Sequence, residues 1–287
     1  MEKLRSFFTK SSSASQSFQI LSDLHLEVGQ QYSSFSIPPS APYLILGGDI
    51  GRLVDYNSYL SFLAQQTAQF EEVFLVLGNH EFYELGYSTG LANARKLESE
   101  PVLGGKLILL HQTRYDVPKS SFSILGCTLW SQIPESARPR VQTALNHFRK
   151  IEGWTIDSHN AVFDTELAWL KGQVDRQHEQ RKILIVTHHA PTIEETAHPQ
   201  HAGSDLSSAF ASSIITDEDT TWEQSDIFRH THYTNTFKKG GIKIMSNQRG
   251  YIYPPGMPGT RLRNKSNEAD KEKDKKKVYD ASRVVHV

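Results

Sequence analysis

The sequence reads as an α/β protein of two packed mixed β-sheets flanked by helices, and three observations carry that reading. Short apolar runs of strand length recur from Phe18 onward: FQILSD, YLILGGD, VFLVLGNH, KLILLH, FSILGCTLW, KILIVTHH, IFRHTH, IKIMSN and RVVHV. Most are continuously apolar rather than alternating, as expected of strands covered on both faces. Helix-like segments lie between several of them, at Tyr56–Phe70, Gly90–Glu98 and Asp164–Arg176. In the last, Leu167, Leu170 and Val174 fall at steps of three and four, which is one face of a helix. Strands alternating with helices imply sheets packed beneath helical layers. About nine strands is many for one open sheet and comfortable for two packed together.

The 287 residues allow one large domain, which we place at 18–287 after a disordered lead-in at 1–17. The lead-in has no apolar core of signal-peptide length, and no apolar stretch is long enough to cross a membrane. Two regions depart from the strand–helix rhythm. Ala197–Ser213, rich in Ser, Ala and His, reads as a loop or lid. Tyr253–Lys277 opens with a Pro/Gly turn cluster and becomes a Lys/Glu/Asp run, predicting a mobile charged loop at about 256–277. Because strand-like RVVHV follows it, this loop is internal.

With 31 basic and 32 acidic side chains, the formal charge of −1 provides no field to draw in nucleic acid or an anionic membrane. A single cysteine, Cys127, excludes an internal disulfide framework and a thiolate zinc site, and it suits a reducing, cytoplasmic setting. Thirteen histidines point the other way, to metal chemistry without thiolates.

Placement decides what those histidines mean. Asp23 and His25 follow FQILS, Asp49 follows YLILGG, Asn79 and His80 follow VFLVLG, His188 and His189 follow KILIVT, and His230 and His232 follow IF. Carboxyl ends of strands are where ligand sites assemble in α/β sheets. In an extended segment, residues two apart share a side, so Asp23 with His25 and His230 with His232 would each present two ligands together. Gly47, Gly48 and Gly78 immediately precede candidate ligands, where the missing Cβ allows tight turns and close approach. Mixed oxygen and imidazole donors suit Mn, Fe or Zn better than Ca or Mg, and the inventory fits two divalent ions.

The motifs D-x-H (Asp23–His25), G-D (Gly48–Asp49), G-N-H-E (Gly78–Glu81), T-H-H-A-P (Thr187–Pro191) and H-x-H (His230–His232) occur in the order seen in calcineurin-like metallophosphoesterases, which this sequence resembles. The resemblance implies a four-layer α/β/β/α sandwich and hydrolysis of phosphomono- or diesters by a metal-bound hydroxide. It implies that Asp23, His25 and His232 hold one ion, that Asn79, His188 and His230 hold the other, and that Asp49 bridges them. His80 would contact the phosphate and assist the leaving group. His189, Arg229, His147 and Arg149 are candidates for substrate contact.

The family usually has Gly before the first His of H-x-H, where this sequence has Arg229. That departure motivates an alternative, a catalytically impaired relative acting as a binding or scaffold module. A hydrolase of non-phosphate esters ranks third. Trp130, Trp154, Trp169 and Trp222 read as packing residues, since no basic stripe accompanies them.

Overall fold

A computed structural model of the chain describes residues 16–175, 181–197, 203–204, 206–216, 222, 234–256 and 278–287, and the backbone of 225–228. The strands are β1 (Ser17–Leu21), β2 (Tyr43–Gly47), β3 (Glu72–Val76), β4 (Leu107–Leu109), β5 (Thr113–Asp116), β6 (Phe122–Cys127), β7 (Lys182–Thr187), β8 (Ser225–Phe228), β9 (Thr236–Lys239), β10 (Ile242–Met245) and β11 (Val284–His286). They form two sheets, in the orders β11-β1-β2-β3-β4 and β5-β6-β7-β8-β10-β9. Both sheets are mixed. The pairs among β1 to β4, and among β6, β7, β8 and β10, are parallel, while β11, β5 and β9 are antiparallel edges.

The continuous apolar runs resolve into a period of two. Phe18, Ile20, Ile45, Phe74 and Val76 of the first sheet meet Phe122, Ile124, Leu184, Val186 and Met245 of the second. The alternate residues turn outward: Leu44, Leu46, Val73 and Leu75 toward one helical layer, and Leu125, Cys127, Ile183 and Ile185 toward the other. Burying each such side chain is worth about 1.5–3 kcal/mol. Three apolar interfaces between four layers are the sandwich that the sequence predicts.

Helix α1 (Tyr56–Gln69) covers the first sheet with Tyr59, Phe62, Leu63, Gln66 and Thr67, a stripe at steps of three and four. Helix α2 (Tyr87–Glu98) buries Gly90, Ala94 and Leu97. At Gly90 a Cβ would come within 2.5 Å of the Phe82 ring, so the helix can seat there only on glycine. Two short helices follow, α3 (Arg138–Ala144) and α4 (His147–Lys150). On the second sheet lies α5 (Ile156–Asp175). It begins two turns earlier than the apolar spacing indicates because its buried face carries His159 among Ile156, Phe163, Leu170 and Val174.

Two strands are absent from the sequence reading, β5 (TRYD) and β9 (TFKK). Each is a partly exposed antiparallel edge, so neither needs a continuous apolar run. The β9–β10 hairpin turns on Gly240 and Gly241, with φ of 55° and 79°. A two-residue turn with positive φ at both positions matches the twist of the flanking strands. Ser17 opens β1 rather than closing the lead-in. The strand expected after the charged run is present as β11, paired with β1, and most of that run, 257–277, lies outside the described residues. Within Ala197–Ser213 the described residues include a packed segment: Ala190 donates to Phe210 and Ser212 donates to Ala190, with Ala209 and Ala211 buried. Among the described residues no helix is long and apolar enough to cross a membrane.

Candidate metal centre

Strand exits from both sheets meet at one edge. The segment after β1 runs beside the segment after β2, joined by backbone bonds from Asp23 to Gly48, His25 to Asp49 and Leu26 to Ile50. The second sheet is tied in by Thr128, just past β6. Its hydroxyl donates to the Leu77 carbonyl at 2.8 Å, and its own carbonyl accepts from the amides of His188 and His189. Past β10, the Arg249 amide donates to Ser22 and the Gly250 amide to Asp23.

Asp23, His25 and Asp49 are not extended, as the two-residue spacing suggested. Their φ values of 54°, 47° and 53° lie in the left-handed region. Such backbone costs a non-glycine residue on the order of 1–3 kcal/mol and persists where surrounding structure enforces it. Here the bonds between the two exit segments enforce it, and the side chains converge as a result.

The ligand atoms of Asp23, His25 and Asp49 lie within 4.8 Å of one another, and all three residues are buried. Two buried carboxylates so close would repel each other without a cation between them, so this donor set fits a divalent ion. Asp49 stands between two groups of histidines. One of its oxygens is 3.5 Å from His188 Nε2 and accepts the His80 amide at 2.8 Å; the other lies 3.9 Å from His80 Nε2. His188 Nδ1 donates to the Gly47 carbonyl at 3.0 Å, which fixes the tautomer and leaves Nε2 as the donor atom toward the site. Asn79 donates from its amide nitrogen to the Tyr83 hydroxyl at 2.9 Å, which orients the amide oxygen as its remaining ligand atom.

The flanking glycines are required by these side chains themselves. A Cβ on Gly48, whose φ is +91°, would lie 2.3 Å from His188 Nδ1. A Cβ on Gly78 would lie 2.3 Å from an Asp49 carboxylate oxygen and 2.6 Å from the His188 ring. Close approach is to the ligating side chains, with the glycine backbone as the floor beneath them.

The other candidates are placed differently. His189 packs against Trp130, His159 and Phe210, with its ring centroid 5.4 Å from that of Trp130. His147 is buried on α4, stacked with His159 at 5.6 Å, and burial pushes its pKa down to about 3, so it is a neutral imidazole. Arg149 donates to the Thr143 carbonyl at the end of α3 and to the Asn146 side chain just before α4. Arg229, His230 and His232 lie outside the described residues. Trp130, Trp154 and Trp222 are buried packing residues.

Three residues that sequence reasoning did not single out complete the site. Glu27 is 2.7 Å from His80 Nδ1 and 3.4 Å from His25 Nδ1. Burial opposes its charge, but those two imidazoles hold its pKa down to about 2, so it is a carboxylate that accepts from His80 and faces His25. His25 is pulled both ways, lowered by burial and raised more by the bond to Glu27 and the charges of Asp49, Glu27 and Asp23. Glu81 is buried beneath the motif loops, where it accepts from the amides of Asp49, Ile50 and Gly78 at 3.0, 2.8 and 2.7 Å and from the Tyr59 hydroxyl at 3.1 Å. Burial, with Asp49 nearby, raises its pKa to about 7. Tyr251 places its hydroxyl 2.9 Å from His80 Nε2. A signal existed for two of them: Glu27 continues the spacing of Asp23 and His25, and Glu81 ends the G-N-H-E motif.

Comparisons with known proteins identify the family. The sequence profile of the calcineurin-like phosphoesterase family matches residues 18–219. An uncharacterized protein of Acanthamoeba polyphaga mimivirus is 29% identical over 262 residues, covering 81% of this chain and 90% of that protein. Among solved structures, the phosphopantetheinyl hydrolase of Mycobacterium tuberculosis superposes with a TM-score of 0.62 at 17% identity, covering 88% of this chain and 94% of that one. A dimetal phosphatase from Danio rerio gives a TM-score of 0.45 at 15% identity, covering 84% and 89%. With more than half of its length matched by the family profile, the chain belongs to the calcineurin-like phosphoesterases.

Proposed function

We propose that this protein hydrolyses phosphomono- or diesters at a centre of two divalent ions, with Asp23, His25, Asp49, Asn79 and His188 among the ligands and His230 and His232 completing the set. The observation that carries the reading is the convergence of Asp23, His25 and Asp49, from two different strand exits, into one buried group of donor atoms. Mn, Fe or Zn suits donors of this mixed kind. When bound, a pair of such ions offsets phosphate charge and activates water for in-line attack.

The chain's own residues do the rest. Asp49, between His25 and His188, serves both halves of the donor set. Glu27 accepts from Nδ1 of His80 and faces Nδ1 of His25, so it orients a ligand and the phosphate-facing imidazole together. His80 presents Nε2 on the Asp49 side, where it can hydrogen-bond the phosphate or the departing oxygen. Glu81 holds the Asp49 and Gly78 turns at fixed separation through their amides.

The test is turnover by metal-loaded protein on a panel of phosphomonoesters and phosphodiesters, with a phosphopantetheinyl diester as one member and a carboxylic ester as control. Metal-dependent cleavage of at least one phosphoester and none of the carboxylic ester is expected. No phosphoester cleavage with Mn, Fe or Zn overturns the proposal.

A further inference from the structure

The Tyr251 hydroxyl is 2.9 Å from His80 Nε2, and its ring stacks on His25 with centroids 4.0 Å apart and 15° between planes. The other nitrogen of His80 is engaged by Glu27 at 2.7 Å. A carboxylate only accepts, so Nδ1 carries a proton toward Glu27, and Nε2 is left to the tyrosine hydroxyl, which can donate to it or accept from its N–H. Both nitrogens are thus engaged by partners. Tyr251 is itself held from the first sheet, through the Arg249 and Gly250 amides to Ser22 and Asp23 and through the Arg249 guanidinium to the Leu24 carbonyl at 3.0 Å and Gln31 Oε1 at 2.8 Å. A residue entering after β10, in the second sheet, therefore closes a chain onto residues that follow β1 and β3 in the first.

We infer that Tyr251 is a positioning residue of the phosphoester reaction. Acting through His80, it holds the imidazole in one orientation with Nε2 presented beside Asp49, while its ring walls the His25 side. The inference rests on the reading of His80 as the phosphate-facing group. The hydroxyl is the operative atom, and Tyr251→Phe removes it while keeping the stacked ring. That variant should fold normally and lower kcat about tenfold with KM within about twofold, the scale of one lost hydrogen bond. Because His80 serves the departing oxygen, the loss should be larger on alkyl than on nitrophenyl phosphoesters. In a His80→Ala background, Tyr251→Phe should add nothing further.

A readout independent of turnover is the long-range 1H–15N spectrum of the metal-free protein. It should show the Nδ1 proton toward Glu27 in both proteins and a shifted His80 Nε2 resonance in Tyr251→Phe, where the hydroxyl partner is gone. Losses from Tyr251→Phe and His80→Ala that simply add, or an unchanged His80 Nε2 resonance, overturn the inference. If the wild type cleaves no phosphoester, the functional reading fails by itself, and the nitrogen spectrum still decides whether Tyr251 holds the ring.

Discussion

Two neighbouring regions treat histidine in opposite ways. Around Asp49, His25 and His80 sit against the carboxylates of Asp23, Glu27 and Asp49, and the charges raise the His25 pKa despite full burial. On the other side of His188, His147 and His159 lie among Trp130, Trp154 and Phe148. There burial outweighs the pull of Asp49 on His147 and of the Ser131 backbone on His159, pushing His147 down to about 3 and His159 well below its usual range. The same side chain is a charge-bearing or ligating group in one region and a neutral packing ring in the other, and only the partners differ. Histidine count is therefore a poor guide to a metal site, whereas histidines at strand exits facing carboxylates are a good one.

The carboxylate side of this contrast breaks most readily at Glu27. Glu27→Gln keeps the shape but replaces the acceptor of the His80 N–H, and the charge facing His25, with an amide, and kcat/KM should fall about 10- to 100-fold, the usual cost of losing such a supporting partner. Steady-state kinetics beside a metal titration measures it. A loss under twofold would mean that His25 and His80 are oriented by other contacts.

The aromatic side is sharpened by pH. His147 has its folded pKa lowered to about 3, so below the unfolded value near 6.5 the unfolded chain binds a proton that the folded chain does not. Its contribution to stability is complete above that value and is lost progressively as pH falls toward 3. Replacing it with phenylalanine removes that dependence. Between pH 7 and pH 4, wild type should lose on the order of 3 kcal/mol more than His147→Phe, as read by urea unfolding of both proteins. Equal slopes would show that the imidazole is solvated. The comparison is of slopes, so any change in packing from the substitution cancels.

Much of this was legible in the sequence. The exit residues Asp23, Asp49, Asn79 and His188 stand out because buried strands are continuously apolar and end abruptly, so a polar residue there is conspicuous. Glu27 and Tyr251 are inconspicuous because their roles are hydrogen bonds to His80, made across 53 and 171 residues of chain. The first turns of α5 were hidden because His159 occupies a core position where the apolar period should continue. Burial raises the Glu166 pKa to about 8 and lowers that of His111 to about 4, so the two groups, 3.7 Å apart, meet as neutral partners inside the fold. Edge strands β5 and β9 escaped because they are partly exposed and carry no continuous apolar run. The positive φ at Asp23, His25 and Asp49 belongs to the pairing of two distant loops, which no local propensity encodes.

The central claim is that Asp49 joins the two halves of one metal centre. It is tested most directly by measuring metal content and phosphoester turnover of wild type and Asp49→Ala purified side by side. The account predicts about two ions per chain in the wild type. In the variant it predicts loss of metal from both positions, with turnover down by at least about a thousandfold, or 4 kcal/mol. A variant that keeps its metal and near-normal turnover would contradict it.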